Sequence, residues 1–326
     1  MKNVFILALA TFLALPAWAQ TNPIEIEEWA VEWEDTRPRD PAVADDGRIW
    51  FVGQAGDYAA VFDPATEEMT RFDLPEGAGP HTIYVADDGE IWYTGNKDAH
   101  LGRIDPETGD IKRVEMPEGE LKDPHTLSED SAGRLWFTAQ WANQIGRYNR
   151  DTGEIDHVDV PTENARPYGI EVAPDDSVWV VLLGTDKIAR ISQDMTLTEI
   201  ELPRADARPR RIAITDRGIW YDDYARGYLG VYDPESGAFE EWNISPANDS
   251  GPYALADDSQ GRIWLVETHA EPNRFVGFDP DTEEFFSITP IPSGAGAVRH
   301  MVFDAERNAI WFGTDTNNLG MARLPE

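Results

Sequence analysis

Apolar and polar residues alternate along this chain in short runs of four to six positions. No stretch carries the three-to-four residue spacing of an amphipathic helix, so the pattern predicts strands. Turn clusters such as Asp45-Asp46-Gly47, Asp87-Asp88-Gly89 and Ser131-Ala132-Gly133 separate the runs, as expected of consecutive antiparallel strands. The runs also repeat. An Ile/Leu/Val-Trp step recurs at Trp50, Trp92, Trp136, Trp179, Trp220, Trp264 and Trp311, at intervals of 41 to 47 residues. After each Trp comes a short apolar strand, then a strand like Leu101-Gly102-Arg103-Ile104 or Ile145-Gly146-Arg147-Tyr148. An Asp-Pro-x-Thr-Gly turn follows, as at Asp105 to Gly109, and a strand like Lys112 to Met116 closes the unit.

Four short strands at a period of about 40–45 residues specify an all-β, seven-bladed β-propeller with four-stranded blades. The repeated Trp reads as a packing residue between blades. The last unit ends after Leu319 to Leu324, one strand short, while Ile24 to Trp29 precedes the first unit as an orphan strand. Pairing the two completes blade 7 and removes the open edge of the ring. Residues 20–326 are then one propeller domain with no linker.

Residues 1–19 read separately. Met1-Lys2-Asn3 is basic, Val4 to Leu15 is apolar, and Ala17-Trp18-Ala19 is an A-x-A cleavage site. This is the pattern of a secretory signal peptide, and the run is too short to span a bilayer. A periplasmic or secreted protein is expected. The chain has 61 Asp+Glu against 27 Lys+Arg, a formal charge of −34, and no Cys. Such acidity argues against nucleic acid and anionic lipid as partners. The absence of Cys excludes disulfides, thiolate metal sites and a Cys nucleophile. A monomer acting on a small molecule is expected.

The candidate chemistry lies where the innermost strands begin. Eleven residues before the repeat Trp stand Arg39, His81, His125, Tyr168, Tyr253 and His300; blade 5 is one residue shorter and has Arg210 there. None is aliphatic, and three of the six His residues of the chain fall on this one position. Polar groups converging on a concave channel mouth are the expected form of a binding site. Arg39, Arg210, Arg211 and Arg299 would suit an anionic ligand. Three residues after the Trp, on the same rim, Asp223 and Glu267 stand out among small or apolar residues, and His269 shares a strand face with Glu267. Asp223, Glu267 and Asp123 are candidate ligands for a Mg²⁺ ion, which takes oxygen donors. The Asp-rich turns lack calcium-loop spacing, and neither a Gly-x-Ser-x-Gly elbow nor a phosphate loop occurs.

The units, as in Gly133 to Thr138 through Asn143 to Arg147, resemble the virginiamycin B lyase (streptogramin lyase) family over the whole mature chain. That resemblance implies a seven-bladed propeller that opens a lactone by elimination, with Mg²⁺ and without added water. It also implies site residues in Pro80-His81, Asp123-Pro124-His125 and Pro167-Tyr168-Gly169-Ile170, after rotating the ring by three blades. In that rotated alignment Gln140 stands where the family has a Glu; without rotation the same positions hold Tyr253, Val298-Arg299-His300 and Arg39. Elimination needs a base for a carbon-bound proton, an electrophile for the carbonyl oxygen and an acid for the leaving oxygen. His125 is expected as base near Asp123, His81 as acid or metal-linked partner, and Tyr168, Arg39, Arg210, Tyr253, His300 and His269 as substrate contacts. A lactone hydrolase of the gluconolactonase type and a non-catalytic binding propeller are the alternatives.

Overall fold

The structure, a computed structural model, describes residues 22–245 and 250–326; the signal peptide expected at residues 1–19 lies outside them. The described residues form seven four-stranded antiparallel sheets and no helix. Blades 1 to 6 follow the chain: Pro38–Asp73, Pro80–Glu115, Pro124–Asp159, Pro167–Glu201, Pro209–Asn243 and Pro252–Pro290. Blade 7 takes Met301–Arg323 and, as its outer strand, Glu25–Ala30. The register runs from Glu25 opposite Arg323 to Ala30 opposite Asn318. Ring closure therefore comes from the orphan strand, in the register that its alternation requires.

The repeat residues have physical causes. Each repeat Trp is buried between blades. In six of the seven the indole N–H donates to a nearby side chain, as Trp136 does to Asp130 at 2.8 Å, Trp264 to Asp258 at 2.9 Å and Trp311 to Asp304 at 3.0 Å. That satisfies the one polar atom of a large buried ring. The Gly of the Ile-Gly-Arg strand faces the aromatic residue after the Trp. A Cβ on Gly146 would lie 2.3 Å from the Phe137 ring, and one on Gly102 would lie 2.1 Å from Tyr93. In blades 2 and 3 the aromatic ring occupies the place of a side chain, which selects glycine there; blade 1 carries Ala60 opposite Phe51. In the Asp-Pro-x-Thr-Gly turn the Asp105 carboxylate accepts the amides of Glu107 and Thr108, and Gly109 takes φ +77°.

Closure also has side-chain contacts. Trp29 stacks on Trp311 at 5.6 Å and meets Phe62 of blade 1 at 5.0 Å. Arg323 bonds Glu27 across the seam at 2.8 Å. Trp29→Ala keeps the strand but removes its packing, and should destabilise the protein by about 2–4 kcal/mol. Urea unfolding measures this. An unchanged midpoint in that variant would contradict a seam that depends on this ring.

Candidate active site

Alternation alone would let only every second residue of an inner strand face the channel. Six of the seven inner strands break it. Their register with the second strand shifts just after the opening Pro, between Pro80 and Ile83, Pro124 and Leu127, Pro167 and Ile170, Pro209 and Ile212, Pro252 and Leu255, and between Arg39 and Ala42 in blade 1. Bulges of this kind re-aim side chains. Two consecutive residues per blade therefore reach the axis: Arg39 with Asp40, His81 with Thr82, His125 with Thr126, Arg210 with Arg211. Asp40 takes φ +46° there, a left-handed value that Asp tolerates.

The second strands fix these segments. Thr94 Oγ1 accepts the Thr82 amide at 3.0 Å and donates to the His125 carbonyl of the next blade at 2.8 Å. Thr138 does the same between Thr126, at 3.3 Å, and the Tyr168 carbonyl, at 2.8 Å. In blade 5 the corresponding residue is Asp222, whose Oδ1 accepts the Arg210 and Arg211 amides at 2.8 and 2.7 Å.

Asp40 is the hub. It is fully buried. Its Oδ1 accepts Arg39 Nε at 3.0 Å, and its Oδ2 accepts the Thr82 hydroxyl at 2.8 Å. Arg211 Nη2 lies 3.6 Å from Oδ2. Burial alone would raise this carboxyl, but the Arg39 and Arg211 guanidiniums outweigh it and hold Asp40 well below the usual carboxylate range. The hydroxyl proton of Thr82 is thus committed, so its contact with His81 Nδ1 at 3.2 Å has the ring nitrogen as donor. His81 then carries its proton on Nδ1 and leaves Nε2 as an open lone pair. His125 is wired the other way. Arg211 Nη1 donates to Thr126 Oγ1 at 3.2 Å, and His125 Nδ1 lies 2.9 Å from that oxygen. Among the described residues the His125 ring nitrogen is the one acceptor within reach of the buried Thr126 hydroxyl proton, so this hydroxyl donates to Nδ1. His125 keeps its proton on Nε2.

The rings meet in the channel. His81 and His125 lie 3.3 Å apart by centroid, and His125 and Tyr168 4.2 Å apart. Tyr168 and Tyr253 share a short hydroxyl–hydroxyl bond. Arg210 stacks between Tyr224 at 3.7 Å and Tyr253 at 4.2 Å. Burial, then the Arg and His charges around them, hold His81 and His125 well below the ordinary imidazole value, and burial holds His300 down at about 4. All three are neutral at neutral pH. Burial raises Tyr168, whereas Arg210 and Arg39 overcome burial and lower Tyr253, which is therefore the acceptor of the phenol pair.

The structure brings the whole first ring together: Arg39, His81, His125, Tyr168, Arg210, Tyr253 and His300. It does not bring the rim acids together. Asp123 accepts the Trp141 and Ala142 amides at 2.6 and 3.0 Å. Asp223 accepts those of Ala225 and Arg226 at 3.1 and 3.0 Å, and Glu267 pairs with Arg274 at 2.7 Å. His269 bonds the Tyr224 hydroxyl at 2.9 Å, at the exposed rim. Asp40, the carboxylate at the hub, is already claimed by two guanidiniums. This donor set does not fit a Mg²⁺ ion held by carboxylates. Among the described residues, one group has ligand atoms close enough to share a cation. It is Glu120, His157 and Asp159, at the outer part of blade 3, where Gln144 donates to both acids. Sequence reasoning missed Asp40, Thr82, Thr126 and Asp222. For Asp40, Thr82 and Thr126 the signal was the residue beside each ring position, hidden by the assumption of strict alternation; for Asp222 it was an acid two residues after the repeat Trp, where blades 2 and 3 have Thr94 and Thr138.

Below the ring the channel opens into a cavity of about 580 Å³ lined by apolar inner-strand residues with Thr82, Tyr84, Glu171, Asp257 and His300. Burial, and then Asp257, pushes Glu171 up to about 8; burial pushes Asp257 up to about 6 and Asp222 up to about 7. The folded state therefore holds protons that the unfolded chain releases at lower pH, so stability falls as pH rises. The lowered His residues act oppositely, but only below about pH 6.5. Melting temperature should decline from pH 6.5 to 8.5, and Glu171→Gln should remove much of that decline. A flat or rising profile in the unsubstituted protein would contradict these environments.

The Virginiamycin B lyase family model matches residues 24–323. Among solved structures, virginiamycin B lyase from Staphylococcus aureus superposes with a TM-score of 0.83 at 24% identity, over 93% of this chain and 100% of that one. A catalytically inactive form of that enzyme with quinupristin gives 0.84, also at 24% identity, with the same coverage of both chains. The extracellular domain of a one-component system from B. thetaiotaomicron gives 0.72 at 14% identity, over 93% of this chain and 40% of that one. No curated protein sequence matches the chain. With a family match that spans every described strand, this chain belongs to the virginiamycin B lyase family.

Proposed function

We propose that the protein is a carbon–oxygen lyase that cleaves a lactone or ester-linked small molecule by elimination. The observation that carries this reading is the opposed wiring of two imidazoles in contact, one held through a hydroxyl that donates to a carboxylate and the other through a hydroxyl that accepts from a guanidinium. His81, oriented through Thr82 by Asp40, offers a lone pair at Nε2. His125, oriented through Thr126 by Arg211, offers a proton at Nε2. Elimination needs one of each: a base for the proton beside a carbonyl and an acid for the departing oxygen. Asp40 is to His81 what the orienting carboxylate is to a catalytic His elsewhere, with a hydroxyl interposed.

This reading exchanges the roles expected from the Asp123-Pro124-His125 step, because Asp123 is spent on two backbone amides and does not orient the ring. No step is routed through a metal. Tyr168 and Tyr253 form the adjoining wall and hold the substrate face. The A-x-A site before Gln20 supports a periplasmic or secreted location for this activity.

The test uses 3-(4-nitrobenzoyloxy)propanamide in ¹⁸O-water. Elimination yields acrylamide and unlabelled 4-nitrobenzoate, whereas hydrolysis yields the hydroxy-amide and carries label into one product. His81→Ala and His125→Ala should each lower turnover about 10²–10⁴-fold. Labelled product would move the protein to the hydrolase class. Loss of activity in His300→Ala with His81→Ala unaffected would move the site to the unrotated blades. No turnover with any β-acyloxy carbonyl compound would leave a binding propeller.

A further inference from the structure

The channel holds more positive charge than it pairs. Arg39 and Arg211 share the single carboxylate of Asp40. Arg299 is paired with Asp315, and Arg210 stacks on two tyrosines with Nε unbonded. Arg39 is 5% exposed and Arg211 2% exposed. Arg39 spends Nε on Asp40 and Nη1 on Gln54; Arg211 spends Nε on the Arg299 carbonyl and Nη1 on Thr126. Nη2 of each is buried with no hydrogen bond, that of Arg211 having only its 3.6 Å ion pair with Asp40. Buried guanidinium donors without acceptors are expensive. In a chain of net charge −34 acceptors for them were abundant, yet of the channel carboxyls only Asp40 pairs with them, while burial raises Asp222, Glu171 and Asp257.

Resting on the elimination reading above, we infer that the missing acceptor is a carboxylate of the substrate, bridging Arg39 Nη2 and Arg211 Nη2. The substrate class is then a β-oxy carboxylate: an acid whose α-carbon carries the abstracted proton and whose β-carbon carries the leaving oxygen. The step balances on this chain's own groups. His81 Nε2 takes the α-proton, and the C–H electron pair forms the Cα=Cβ bond. The Cβ–O bond breaks, its pair stays on oxygen, and His125 Nε2–H protonates that oxygen. In between, charge builds on the carboxylate oxygens, where the two guanidiniums stand. Fixed cations at that place stabilise the transition state more than the ground state. Direct guanidinium neutralisation does here what a cation would do elsewhere, which accords with a donor set that does not fit one.

The test pairs 3-(4-nitrophenoxy)propanoate with 3-(4-nitrophenoxy)propanamide, which has the same shape without the charge. Binding is measured by calorimetry at low salt, and 4-nitrophenol release is followed by absorbance. The carboxylate should bind at least about tenfold more tightly than the amide, and more weakly as salt is added. Arg39→Gln should remove that preference; Arg39→Lys should keep part of it; Arg323→Gln should leave it intact. His81→Ala should bind the carboxylate like the unsubstituted protein while releasing no nitrophenol. Each variant is first shown to melt normally, and Arg39→Lys serves where Arg39→Gln does not. Equal binding of acid and amide, no binding of the acid, or undiminished preference in folded Arg39→Gln would overturn the inference. Arg39-dependent binding with no release of nitrophenol would leave it standing and remove the elimination reading alone.

Discussion

One buried carboxylate organises the channel of this propeller. Asp40 is fully buried, yet it stays ionised because Arg39 and Arg211 face it and Thr82 donates to it. Those partners come from blades 1, 2 and 5, so a single charge fixes groups on opposite sides of the axis. Arg211 in turn reaches the Arg299 carbonyl of blade 7 and the Thr126 hydroxyl of blade 3. Removing two guanidiniums and a carboxylate from water contributes little to stability and often opposes it. A cluster of this composition at the axis is therefore better understood through what it does to its neighbours. It sets the two histidines in opposite tautomers and leaves two donors waiting.

The fold makes that arrangement repeatable. A propeller brings one equivalent position from each blade to a common axis, and the bulge after the opening Pro doubles the number of side chains delivered. The Thr94 and Thr138 hydroxyls then tie each presented segment to the next blade. The neighbouring blades are thereby held in register at the depth where His125 and Tyr168 must stay in contact. Preorganisation of this sort matters because electrostatic and proton-transfer groups act only at the right separation.

Much of this was legible from the chain. The Trp period, the Ile-Gly-Arg strand and the orphan Ile24 to Trp29 segment lead directly to seven blades closed by their own N-terminal strand, because repeated packing needs repeated residues. The ring of Arg39, His81, His125, Tyr168, Arg210, Tyr253 and His300 was legible for the same reason. Asp40 was not, because period-two alternation points it away from the channel and only a bulge turns it in; Asp222 was not, because only the bulge in the facing strand sets two amides opposite its carboxylate. The rim acids misled for the converse reason. Asp123 and Asp223 look like ligands in sequence, but in space they cap loop amides, the commonest use of an Asp beside a tight turn. A residue type and a position do not reveal which hydrogen bonds have already been made.

The opposed tautomers of His81 and His125 are the claim on which the chemistry stands. Long-range ¹H–¹⁵N correlation of the imidazole rings at pH 7 reads them directly. The account predicts two neutral rings, His81 protonated at Nδ1 and His125 at Nε2, with the His81 pattern lost in Asp40→Asn. Two rings protonated at the same nitrogen, or an imidazolium at either position, would contradict it.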